Sequence, residues 1–163
     1  MPSVNQGNPV NPVVENVRSA LLAAGLADTV VVVPDSVATA ATAAAVLGCH
    51  VGAIANSLIF ECAGEPLLIL ASGAAKVNVK KLAQEHGLPK INRAGPEFVL
   101  AHAGQPVGGV APLGHPRPIR AFLDTELAQY PVLWAGAGSH QAMLSMAYPA
   151  LLEVTGATET AVR

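Results

Sequence analysis

From Asn11 onward the apolar positions Val14, Val17, Leu21 and Ala24 recur at helical spacing, so one stripe of a helix faces a core. Asn11 offers a side-chain acceptor to the free amides of the first turn. Pro12 suits the first helical position, and Gly25 closes the element. The pattern then changes. Residues 30–33 are four valines or β-branched neighbours in a row, which predicts a buried strand ended by Pro34. Thr39 is placed to cap a second helix through Leu47, with Gly48 as its stop. Its residues are small, so it can lie close against a sheet.

Two short apolar runs, 57–60 and 67–70, flank Ala63-Gly64-Glu65-Pro66 and predict a hairpin. Asn78 caps a third helix through His86, closed by Gly87, and a fourth spans 96–103, closed by Gly104. Residues 107–114 hold too much glycine for a regular element. Strands are predicted at 119–123 and 132–134 with a helical turn over 125–129 between them. Gly136-Ala137-Gly138 reads as a turn and 149–154 as a last short helix. Interleaved strands and helices with a hairpin exclude a purely parallel sheet. The expected fold is α/β: one domain over 11–163, a curved, barrel-like mixed sheet with flanking helices, and a polar, loose arm over 1–10. Leu58, Phe60, Leu68, Leu70 and Val132 are the expected core.

Composition narrows the class. Of 163 residues 52% are hydrophobic and 12% charged; the charged share is about half the usual ~25%, which excludes general disorder. No apolar run approaches the ~18 residues of a membrane span. No basic segment precedes an apolar run at the N-terminus, so a cytoplasmic protein is expected. Cys49 and Cys62 form no CxxC pair and read as free, largely buried thiols. The net charge of −2 is unevenly spread. Residues 76–120 carry seven basic side chains (Lys76, Lys80, Lys81, Lys90, Arg93, Arg117, Arg120) against Glu85 and Glu97, a local +5, and the remainder carries −7. A positive middle on a negative chain suits an anionic partner, although ordinary solvated helix lysines would give the same count.

Little conventional catalytic chemistry is present. His50, His86, His102, His115 and His140 stand far apart with no metal-binding spacing, and no metal is expected. Gly136-x-Gly138 is too short for a dinucleotide fingerprint, and no phosphate-binding loop occurs. Ser72, and Ser139 beside His140, are the available serine nucleophiles, but sequence neighbours on a strand point to opposite faces. Gly108 and Gly109 are more informative. Consecutive glycines let backbone approach a ligand and can present amides to a developing oxyanion.

Several motifs then occur in order: Thr39-Ala40 opening an alanine-rich helix, Leu47-Gly48-Cys49 closing it, Ile54-Ala55-Asn56-Ser57-Leu58-Ile59-Phe60, Leu68-Ile69-Leu70-Ala71-Ser72-Gly73, Lys80-Lys81-Leu82, Gly108-Gly109-Val110-Ala111-Pro112-Leu113-Gly114, and Ala137-Gly138-Ser139-His140 ahead of Leu151-Leu152-Glu153-Val154-Thr155-Gly156. In this set the chain resembles the free-standing aminoacyl-tRNA deacylases of the YbaK/EbsC type, relatives of the editing domain of bacterial prolyl-tRNA synthetases. The resemblance covers about residues 28 to 157. It implies hydrolysis, in trans, of the ester on a mischarged tRNA of the tRNA-Pro type, without cofactor, and an apolar pocket for a small amino-acid moiety.

The resemblance also assigns roles. Asn56, Gly108 and Gly109 are expected at the reacting ester, with Thr39, Ser72, Val110, Ala111, Pro112, Ser139 and His140 around the bound amino acid. From the local positive charge, Lys76, Lys80, Lys81, Arg93 and Arg117 are expected to meet the tRNA. Many relatives carry lysine where this chain has Asn56. Asparagine both donates and accepts hydrogen bonds but supplies no charge. The alternative reading is a noncatalytic tRNA- or protein-binding module on the same fold.

Overall fold

The structure, a computed structural model, describes residues 11–163; the expected arm over 1–10 lies outside the described residues. Five helices follow the predicted punctuation. Helix α1 spans Pro12–Ala23, and Asn11 accepts from the amides of Val13 and Val14. Helix α2 (Ala40–Leu47) carries a capping box between Thr39 and Thr42 and ends on Gly48 in the left-handed conformation. Helix α3 is Val79–His86, capped by Asn78 and stopped by Gly87. Helices α4 (Pro96–Ala103) and α5 (Tyr148–Thr155) each begin with a proline in the first turn, where a missing N–H costs nothing.

Eight strands join one mixed, open sheet: β1 (Val31–Val32), β2 (Ile54–Cys62), β3 (Glu65–Ser72), β4 (Ile91–Arg93), β5 (Arg120–Asp124), β6 (Leu133–Gly136), β7 (Ala142–Met146) and β8 (Thr158–Thr160). Their order is β1-β7-β6-β2-β3-β5-β8, with β4 also on β2. The β2–β3 hairpin turns on Ala63 and Gly64, both at positive φ. That is the mirror-image turn whose twist matches a hairpin.

The sheet buries both faces. Ala55, Ile59, Leu68, Leu70 and Leu123 pack with α1, α4 and the 110–113 segment. On the other face Leu67, Ile69 and Ala71 pack on Leu82 and Ala83 of α3 and on Phe122.

Four expectations are corrected. Residues 30–33 form a two-residue edge strand, and Val32 is exposed at 61%. Val132 precedes β6 and is exposed, leaving Leu133 to enter the core. Leu58 and Phe60 are half-buried, because they border a pocket as well as the α3 side of the sheet. Both cysteines are free but only half-buried.

Candidate functional site

The feature that shapes the site is an interruption in sheet pairing. One edge of β2 pairs with β3 from Ala55↔Ser72 to Cys62↔Glu65. The other edge pairs with β6 at Ile54↔Trp134 and Ala55↔Ala135, and with β4 at Phe60↔Arg93 through Cys62↔Ile91. Between those two partners, on that edge, no strand among the described residues lies beside Asn56, Ser57, Leu58 and Ile59. A pocket of about 780 Å³ fills the gap, lined by β2 from Ile54 to Phe60, by Gly136 at the end of β6 and by Arg93 and Ala94 at the end of β4.

Further segments wall the pocket. Thr39 and Ala40 come from the start of α2, and Ala75, Lys76 and Val77 from the stretch leading into α3. Val107, Gly108 and Val110, with Val99 of α4, line it as well. Asn56 shares a sheet face with Ile54 and Leu58, since side chains alternate along a strand. Lys76 and Arg93 are exposed at the rim.

The 107–110 segment is held in place by backbone contacts. Gly138 donates its N–H to Gly109 O at 2.7 Å, and Gly109 donates to Pro106 O at 2.9 Å. A Cβ on Gly109 would lie 2.9 Å from the Ser139 carbonyl carbon, and one on Gly136 only 2.6 Å from Val110 O. The two glycine clusters therefore exist because two stretches of backbone touch. Gln105, only 1% exposed, braces the segment from inside. It accepts from Ala111 N–H at 2.7 Å and donates to Leu113 O at 3.1 Å. His140 closes the outer side, donating from Nε2 to Val107 O at 2.7 Å. Gly108 has φ +84° and flanks Ala38 and His140.

Of the residues expected here, Thr39, Asn56, Lys76, Arg93, Gly108 and Val110 converge on the pocket. Others do not. The Gly109 amide is already engaged by Pro106, so it is not open to an oxyanion. Ser72 is buried at the far end of β3. Its hydroxyl donates to Gly52 O at 2.8 Å and its N–H to Asp124 Oδ2 at 3.0 Å, ties that anchor the strand end. Ala111 and Pro112 are buried behind the pocket wall.

Ser139 Oγ accepts from Gln141 N–H at 3.2 Å, and His140 is turned to Val107, so the two are not paired as nucleophile and base. Lys80 faces a separate shallow hollow of about 380 Å³ shared with Lys76 and Arg163. Lys81 donates to the Arg163 main-chain oxygen at 2.8 Å and lies 4.0 Å from Glu85. Arg117 is exposed in the connection before β5. Sequence reasoning missed Ser57, Val99 and Gly136 as pocket residues. The neighbours β2 lacks are decided by pairing between distant segments, and no local pattern reports them.

With this geometry the chain matches the aminoacyl-tRNA editing domain family over residues 34–154, and it belongs to that family. It is 33% identical over 112 residues to the uncharacterized protein YwhH of Bacillus subtilis (strain 168), covering 68% of this chain and 71% of that one. Over 83 residues, 51% of this chain, it is 37% identical to a proline–tRNA ligase of Nitratidesulfovibrio vulgaris (strain DP4), a match spanning 14% of that ligase. Among solved structures, one described as a proposed trans-editing enzyme for prolyl tRNA synthetase aligns with TM-score 0.88 and 35% identity. That alignment covers 95% of this chain and 99% of that one.

Proposed function

We propose that the protein is an aminoacyl-tRNA deacylase that acts in trans on tRNA of the tRNA-Pro type carrying a wrong, small amino acid. The observation that supports this most is the pocket at the interrupted edge of β2, which brings Asn56, Gly108 and Thr39 together beneath a rim carrying Lys76 and Arg93. The cations suit the phosphates near the tRNA 3′ end, and the apolar wall of Val99 and Val110 suits a short side chain.

In this reading water adds to the ester carbonyl carbon. The bond from that carbon to the ribose oxygen breaks, the leaving oxygen takes up a proton from the water, and free amino acid and tRNA result. Asn56 orients the ester or a ribose hydroxyl, and Gly108 N–H faces the developing negative oxygen. A preorganised donor of this kind is worth about 10²–10³ in rate. A buried apolar wall separates side chains differing by one methylene by only about 1–3 kcal/mol, so activity on several small amino acids is expected.

The test is a panel of labelled mischarged tRNAs incubated with the pure protein. Release of amino acid from tRNAs bearing small residues supports the reading. Tight tRNA binding with no ester cleaved across the panel overturns it in favour of a binding module.

A further inference from the structure

The interrupted edge of β2 has a polarity that the register determines. Cys62↔Glu65 closes a two-residue turn and is therefore a hydrogen-bonded pair, and pairs alternate from there along an antiparallel ladder. Cys62, Phe60, Leu58 and Asn56 thus turn their N–H and C=O toward β3, while Glu61, Ile59, Ser57 and Ala55 turn theirs the other way. Gly73 N–H donating to Ile54 O at 2.8 Å on the β3 side agrees with this alternation, as does Ala55 pairing with β6. Within the gap Ser57 and Ile59 accordingly both direct their main-chain groups at the pocket, and Ser57 is the one beside Asn56 at the β6 end. Ser57 is half-buried, yet its Oγ is fully buried without a partner among the described residues. What Ser57 shows to the pocket is its main chain.

An aminoacyl ester carries one residue's worth of backbone: an α-ammonium donor and a carbonyl acceptor. Only an antiparallel pairing lets a single residue exchange both bonds with one partner. Resting on the deacylase reading, we infer that the aminoacyl group docks as a one-residue strand on Ser57, its ammonium donating to Ser57 C=O and Ser57 N–H donating to the ester carbonyl.

Three features of the pocket agree. The antiparallel sense puts the ester carbonyl toward the β6 end, where Gly136, Gly108 and Asn56 lie, and the ammonium toward the β4 end. Directly opposed residues in such a pair share a face, so an L side chain projects to the Ser57 side of the sheet. That side carries the apolar wall of Val99 and Val110. A D side chain would project to the opposite face, beside Asn56 and Lys76. The unpaired stretch holds four residues, room for a single residue between β6 and β4 and for little more.

Single-turnover hydrolysis tests this with tRNA-Pro acylated by L-alanine, D-alanine or propionate, the last lacking the amine. Expected is hydrolysis of the L ester, with the propionyl ester slower by about 10- to 100-fold for the lost charged hydrogen bond and the D ester slower still. On the protein side, replacing residue 57 by its α-hydroxy acid removes its N–H, weakens the Asn56 carbonyl as an acceptor toward β3, and should slow the L ester by about 10²–10³-fold. The same exchange at Leu58 removes a ladder N–H to β3 outright, so it should lower the melting temperature by more than the Ser57 exchange does. Equal rates on all three esters overturn the inference and leave the deacylase reading standing. No release from any aminoacyl-tRNA by wild type takes down both.

Discussion

Gly136→Ala isolates the contact on which the pocket wall depends. Gly136 ends β6 at an ordinary strand conformation, so an added methyl meets no backbone strain of its own. What it meets is Val110 O at 2.6 Å and the Val110 carbonyl carbon at 3.3 Å. A comfortable carbon-to-oxygen approach is about 3.3–3.6 Å, so the strand and the loop must part by roughly 0.7–1 Å. Both atoms are backbone, and no side chain can rotate out of the way. Overpacking of this size costs about 1–3 kcal/mol. In a chain of this length each kcal/mol lowers Tm by about 2–4 °C, so a fall of roughly 2–12 °C is expected in calorimetry. The displaced wall carries Val110 and Gly108, hence deacylation should fall as well. Gly87→Ala is the control. Its φ of +63° costs strain, but nothing lies within 4 Å and the pocket is distant, so it should lower Tm while leaving the rate unchanged. A Tm for Gly136→Ala within about 1 °C of wild type, together with an unchanged rate, would refute the claim that this contact sets the wall.

Asn56→Ala should reduce single-turnover deacylation by roughly 5- to 150-fold, from about 1–3 kcal/mol for an unpaired polar group; Asn56→Lys should keep the fold and shift amino-acid or tRNA preference, read on the mischarged panel. Lys76→Glu and Arg93→Glu should weaken tRNA binding and flatten its salt dependence by about one counterion each. Lys81→Glu should do less, because its ammonium is already committed to Arg163 and Glu85. Burial holds the His115 pKa below its usual value, opposed by the Ala111 carbonyl it donates to at 2.8 Å. The unfolded chain then binds that proton more readily. Stability should be fully present above about pH 6.5 and decline as pH falls from there toward the depressed native pKa. Thermal melts of wild type and His115→Gln across pH 5–8 check this, the variant showing the shallower decline.

The helices were legible because their ends are chemical. Asn11, Thr39 and Asn78 accept from first-turn amides, and Gly48, Gly87 and Gly104 take the left-handed closing conformation. The hairpin was legible for a similar reason, with Ala63-Gly64 between apolar runs. Three strands were not. Ile91–Arg93 and Thr158–Thr160 are three residues each and too short to show alternation. Ala142–Met146 is built of residues that favour helices, and the ladder with β6 overrides that preference. At the site, the ordered motifs named Asn56 and Gly108, and both line the pocket. They misread Gly109, whose lack of a side chain answers to Ser139 behind it, and Ser72, whose hydroxyl ties Gly52. Both assignments turn on which backbone lies within 3 Å, a consequence of tertiary packing.

An unpaired strand edge is ordinarily a hazard, since it offers a row of donors and acceptors to any extended chain and can seed aggregation. Here the hazard is contained by position. The bare stretch of β2 lies inside the sheet, bounded by β6 at one end and β4 at the other. Strands in proteins commonly run about 5–6 residues, and a foreign segment of that length would collide with both neighbours before it could pair. The outermost strands of the sheet, β1 and β8, are two and three residues long, and β8 reads Thr-Glu-Thr. Among the described residues, the outermost strands therefore offer a foreign chain only two or three residues to pair with.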